Sequence, residues 1–102
     1  MDVIVTKHAE KRIRERQGLN KKACERMAKM AYEKGLIHED KKGTLNKYLI
    51  HKENLHKTAT KDRVAKIYGE YLYIFDGNTL ITTFGVPNEI KPMIKKRKEN
   101  SK

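Results

Sequence analysis

Three runs rich in β-branched and aromatic residues follow one another in the second half of the chain: VAKIY at 64–68, YLYIF at 71–75 and TLITTF at 79–84. Only Gly69-Glu70 and Asp76-Gly77-Asn78 separate them. Parallel pairing of neighbouring strands needs a crossover of about a dozen residues, so spacers this short must reverse the chain. Asp-Gly supplies the positive φ angles that tight hairpin turns require. The pattern predicts a three-stranded antiparallel meander, closed by Pro87.

Upstream the period changes. Ala9, Ile13 and Gln17 recur at helical spacing after Thr6, which stands where an N-cap belongs, and Gly18 supplies a stop. A first helix is predicted over 7–17. Ala23, Met27, Met30 and Ala31 mark one face of a second helix, with Lys21, Lys22, Glu25, Lys29 and Glu33 opposite, Asn20 as cap and Gly35 as terminator. Leu45, Tyr48, Leu49 and Lys52 suggest a short third helix from Thr44 towards His56, an irregular strand being the alternative. Residues 2–5 read as an edge strand, 39–43 as a polar turn and 58–62 as a loop. Helices in one block and strands in another indicate an α+β domain over 1–90, with two or three N-terminal helices packed on one face of the meander. Residues 91–102, KPMIKKRKENSK, carry six basic side chains and one acidic, and read as a flexible basic tail.

Charge narrows the partners. Lys and Arg total 24 against 13 Asp and Glu, a net charge of +11. An excess of that size attracts polyanions, and nucleic acid is the commonest of them. The first apolar run is too short for a signal-peptide core and no stretch approaches a membrane span, so no membrane partner is expected. Cys24 is the single cysteine. It allows no intramolecular disulfide and fits a reducing, cytoplasmic setting. His38, His51 and His56 lack metal-ligand spacing, and there is no glycine-rich phosphate loop, so neither a metal nor another cofactor is expected.

On the first helix His8, Arg12 and Arg16 lie four apart and stack along a single face, beside the apolar row of Ala9 and Ile13. Transfer of a phosphodiester to a neighbouring 2′-hydroxyl needs proton transfer and cations to stabilise the charged phosphorane; His and Arg supply both without a metal. The plainer reading of the same spacing is a solvated basic helix. Further candidates for holding nucleic acid are Arg14, Arg16, Lys66, Tyr68, Tyr71 and Tyr73. Tyr71, Tyr73 and Phe75 share one face of their strand; such a face is more often the core side than a platform for stacking bases.

The string TKHAEKRIRERQGL resembles the His-Ala-x-x-Arg-x-x-x-Arg opening of a family of small bacterial and phage proteins of unknown function, and ITTFGVP at 81–87 resembles the last strand of that family. The resemblance runs over roughly Val3 to Pro87, least securely between Leu36 and Asp62. Such proteins are similar in layout to RelE-like and barnase-like ribonuclease toxins, helices first and then an antiparallel sheet holding the site. The resemblance implies a site of His8, Arg12 and a strand threonine, Thr82 or Thr83. Three functions stay open: an RNA-binding or metal-independent ribonuclease-like domain, a non-catalytic phage-type inhibitor that docks on a host or defence nucleoprotein complex as its protein partner, and a dimeric DNA reader.

Overall fold

A computed structural model describes residues 3–38, 43–54 and 62–100. The chain order is β1 (Ile4–Val5), α1 (Lys7–Gln17), α2 (Lys21–Lys34), α3 (Thr44–Glu53), β2 (Arg63–Tyr68), β3 (Tyr71–Asp76), β4 (Thr79–Gly85) and α4 (Lys91–Asn100). The expectations made for Asp2, for 39–42, for His56 and for 58–61 fall outside the described residues. The class is α+β.

The first two helices form for the local reasons their sequences give. Thr6 Oγ1 accepts from the Ala9 amide at 3.1 Å and Asn20 Oδ1 from the Ala23 amide at 2.8 Å. Each cap satisfies one of the amides that a helix start leaves without an intrahelical partner. Gly18 ends α1 in the left-handed region, at φ 67°, where its amide reaches the Arg14 carbonyl. Gly35 ends α2 for a different reason. Its φ is −64°, but a Cβ there would collide with the Ala31 carbonyl and the Lys66 side chain, so only glycine lets the helix end lie on β2.

The sheet has the order β1-β4-β3-β2. β2, β3 and β4 form the expected antiparallel meander, and β1 adds a two-residue parallel strand, Ile4 opposite Thr79 and Val5 opposite Leu80. The sheet is therefore mixed. Between Ile74 and Phe75 the register slips: Ile74 faces Thr82 while Phe75 faces Leu80, which leaves Ile81 as an extra residue in β4.

Helices cover both faces of the sheet. α1 and α2 bury Ala9, Ile13, Cys24, Ala28 and Ala31 against Tyr73, Phe75 and Leu80. On the other face Leu45 and Leu49 of α3 pack with Ala65, Ile67, Leu72 and Ile74, together with Val86, Ile90 and Ile94. The alternation of β3 explains why all four of its central residues are buried, since each face has a helical layer to meet. The outer edge of β2 is closed rather than open. Leu36 exchanges two backbone hydrogen bonds with Ile67 (2.8 and 2.9 Å), and the Ala65 amide donates to Glu53 Oε1 at 3.2 Å.

The segment read as a flexible tail is corrected here: Lys91–Asn100 is helical. Ile90 and Ile94 are each 5% exposed, and Arg97 donates to the Ile37 carbonyl at 3.1 Å and to Asn46 Oδ1 at 2.8 Å. The i, i+4 pair of isoleucines anchors the turn, and Lys95 and Lys96 face solvent. Ile94→Ala should cost about 2–5 kcal/mol, as expected for a buried isoleucine, whereas a free tail would leave urea denaturation unchanged.

Tyr73 is fully buried, and burial pushes its phenol above the ordinary value of 10.0, with the Gln17 hydrogen bond opposing. Its contribution to stability is complete below pH 10 and is lost as pH rises through the raised folded value. Thermal melts of Tyr73→Phe above pH 10 should therefore lose stability less steeply with pH than the wild type.

Candidate nucleic-acid interface

α1 lies along β4 because both of its ends are tied to the sheet. At the start, Thr6 Oγ1 caps the helix and also donates to the Leu80 carbonyl at 3.0 Å. At the end, Tyr71 Oη donates to the Arg16 carbonyl at 3.1 Å, and Tyr73 Oη lies 3.0 Å from the Gln17 side-chain nitrogen. With Ala9 and Ile13 buried, the row of His8, Arg12 and Arg16 is left overhanging the rim of β4 beyond the short β1.

That row forms one wall of a cleft of about 310 Å³, whose other wall is Ile81, Thr82 and Phe84 of β4. The bulge is what builds the second wall. In a regular strand successive side chains alternate between faces. The extra residue at Ile81 lets two consecutive side chains, Ile81 and Thr82, line the same recess, a common use of bulges beside functional sites. None of the six lining residues is a carboxylate.

The structure thus brings together His8, Arg12, Arg16 and Thr82, and separates the other candidates from them. Thr83 is fully buried and its hydroxyl donates to the Leu72 carbonyl at 2.8 Å, whereas Thr82, though only 4% exposed, lines the cleft, so of the two threonines only Thr82 belongs to it. Arg14 is exposed but is not among the lining residues; its charge acts on the Cys24 thiol, on the α2 side. Lys66 is turned inward. Its ammonium donates to the Tyr32 carbonyl in the last turn of α2 at 2.6 Å and sits 4.2 Å from the centre of the Tyr32 ring. Burial lowers its pKa. The lysine offsets the negative end of α2 rather than holding phosphate.

Tyr73 stacks no base, because α1 and α2 cover it. Tyr68 and Tyr71 pack partly buried against the same cluster and are not among the residues that line the cleft. The tyrosines of β3 instead position α1 and hence Arg16. Phe84, Tyr48 and Lys52 were read from the sequence only as parts of a strand and a helix, not as site residues. Arg16 lies 5.4 Å and Lys52 5.2 Å from the centre of the Phe84 ring, and Lys52 is also 5.7 Å from Tyr48. Alternation along 79–84 would have found Phe84 only with the bulge known; Lys52 comes from a different element.

No protein-family model, curated protein or solved structure matches the chain. What the cleft can do therefore rests on its own chemistry. Among the described residues no group of three or more His, Cys, Asp and Glu is placed to hold a metal ion, and His38 instead lies 3.2 Å from Glu53 Oε2. Cys24 is buried, and burial followed by the nearby Glu10 pushes its thiol up, away from the reactive thiolate. No helix among the described residues is long and apolar enough to cross a membrane.

Arg12 is not idle. Its guanidinium is 3.3 Å from Glu15 Oε2, an i, i+3 pair in which both side chains are well exposed, and Lys11 lies 3.9 Å from the same carboxylate. Exposed pairs contribute about 0.2–1 kcal/mol, little enough for an arriving phosphate to displace the carboxylate. Glu15→Gln should accordingly tighten binding of a nucleic acid a few-fold in fluorescence anisotropy at low salt, with the gain shrinking as salt is added.

Proposed function

We propose that the protein binds RNA in the cleft between α1 and β4, with a ribonuclease-like arrangement of groups around the phosphate. The observation that carries this reading is the convergence of a histidine, two arginines and a threonine on one recess that contains no carboxylate. Arg12 and Arg16 supply the planar donors suited to phosphate oxygens, and the +11 net charge draws the polyanion in. The likeness of the helix string and the last strand to the small bacterial and phage family, and through it to ribonuclease toxins, points the same way.

In the catalytic form of this reading His8 takes the proton of a 2′-hydroxyl as its oxygen attacks the adjacent phosphorus. The bond from phosphorus to the 5′ oxygen breaks, and the leaving 5′ oxygen takes a proton from water. The products are a 2′,3′-cyclic phosphate and a free 5′-hydroxyl, and no metal is needed. Arg12 and Arg16 stabilise the charge that builds on the phosphorane, and Thr82 offers a hydroxyl to a non-bridging oxygen. The reduced, buried Cys24 suits a cytoplasmic protein.

One observation favours a second reading. The lining holds a single imidazole and no further acid or base, whereas cleavage of this type usually employs a pair. The same surface then serves a non-catalytic binder, such as an inhibitor docking on a nucleoprotein complex. Wild type and His8→Ala incubated with labelled single-stranded RNA in chelator separate the two. Cleavage by wild type alone establishes the catalytic form; binding without cleavage by both establishes the binder. In either case affinity should fall steeply and linearly on a log–log plot against salt, and a flat response would remove the phosphate cleft altogether.

A further inference from the structure

We infer that Phe84, together with Tyr48, Lys52 and Arg16, is a stacking subsite for an unpaired nucleobase, so that the ligand of the cleft is single-stranded RNA and not duplex. The inference rests on the RNA-binding reading of the cleft and adds to it the form of the ligand.

Phe84 is only partly buried, at the rim where α1 and α3 approach the same strand. Arg16 comes to it from α1 and Lys52 from α3, at 5.4 and 5.2 Å from the ring centre. Two cations thus crowd one aromatic ring. Neither Arg16 nor Lys52 has an ion-pair partner among the described residues, as is common for the cations of this basic chain; what sets the two apart is the ring they share. The ring attracts each cation, yet the two positive charges it gathers repel one another. The arrangement becomes balanced when an anion enters between them.

A nucleotide meets each of those demands. Its base provides a π face for the Phe84 ring and for the Arg16 guanidinium plane, and its phosphate lies between Arg16 and Lys52. Tyr48, beside Lys52 at 5.7 Å, extends the aromatic surface for the next base. The resulting track starts at His8, passes Arg12 and Arg16, crosses Phe84 and reaches α3. Bases within a duplex are already stacked on one another and present only their edges, so they have no free face to offer this ring.

The test is fluorescence anisotropy with three labelled probes at one salt concentration: a short unstructured RNA, the same strand annealed to its complement, and the same strand with its bases removed. Wild type should bind the unstructured strand about ten-fold more tightly than either of the others, the size expected for losing one good base–aromatic stack. Phe84→Leu, which keeps an apolar side chain against the α3 side of the core, should lose about the same factor for the unstructured strand. Phe84→Tyr should retain wild-type affinity, and Lys52→Gln should reduce both affinity and the salt slope. Equal binding of all three probes by wild type, with Phe84→Leu unchanged, overturns the stacking subsite but leaves the phosphate cleft standing. No binding of any probe overturns both. If Phe84→Leu fails to fold by circular dichroism, the base-free probe on the wild-type protein decides the matter by itself.

Discussion

The hydroxyl of Thr6 is the interaction on which the arrangement of this protein most depends. One oxygen caps α1 by accepting the Ala9 amide and ties that helix to β4 by donating to the Leu80 carbonyl. A hydroxyl can do both at once because it is donor and acceptor together; an aspartate or asparagine cap would hold the helix but not the strand in the same way. The tyrosines of β3 secure the opposite end, so α1 cannot rotate about its axis without breaking a contact at one end or the other. Its buried alanine and isoleucine fix which side faces the sheet, and the basic row is then aimed at β4 by exclusion.

Charge in this chain is not a uniform coat. Lys66 is drawn in beneath the end of α2, Arg63 lies 3.5 Å from Asp76, and Arg97 joins α4 to α3. These three side chains add to the net charge but act as braces within the fold. What distinguishes Arg16 and Lys52 is that they converge from two helices on a ring at the surface. Net charge counts cations; it does not say which of them meet a ligand.

Most of the fold was legible before any coordinate. Thr6, Asn20, Gly18 and Gly35 delimit α1 and α2, and Asp76-Gly77 sets the β3–β4 turn, because caps and tight turns are short-range chemistry written within a few residues. The His8, Arg12, Arg16 row was legible for the same reason, since a helix repeats every few residues. Three things were not. The helix at Lys91–Asn100 was hidden by its lysines, which outnumber the two isoleucines that anchor it. The inward turn of Lys66 depends on where α2 ends against β2, a tertiary contact. The choice between Thr82 and Thr83 hung on a bulge that shifts the alternation by one residue, and nothing in the string ITTF marks where the extra residue sits. Phe84 was missed through the same shift, and Lys52 because its partner lies across the fold.

The two walls of the cleft come from residues 8–16 and 81–84, and the Thr6 tether that aligns them spans 74 positions of sequence. A chain leaving the ribosome N-terminus first can form α1 and α2 early, since their stabilising contacts are local, but it holds no recess until β4 has emerged and paired. The basic row is exposed throughout that interval as a simple charged helix, able to attract polyanions and unable to orient one. Assembly of the cleft therefore waits on β4, however early the two helices form.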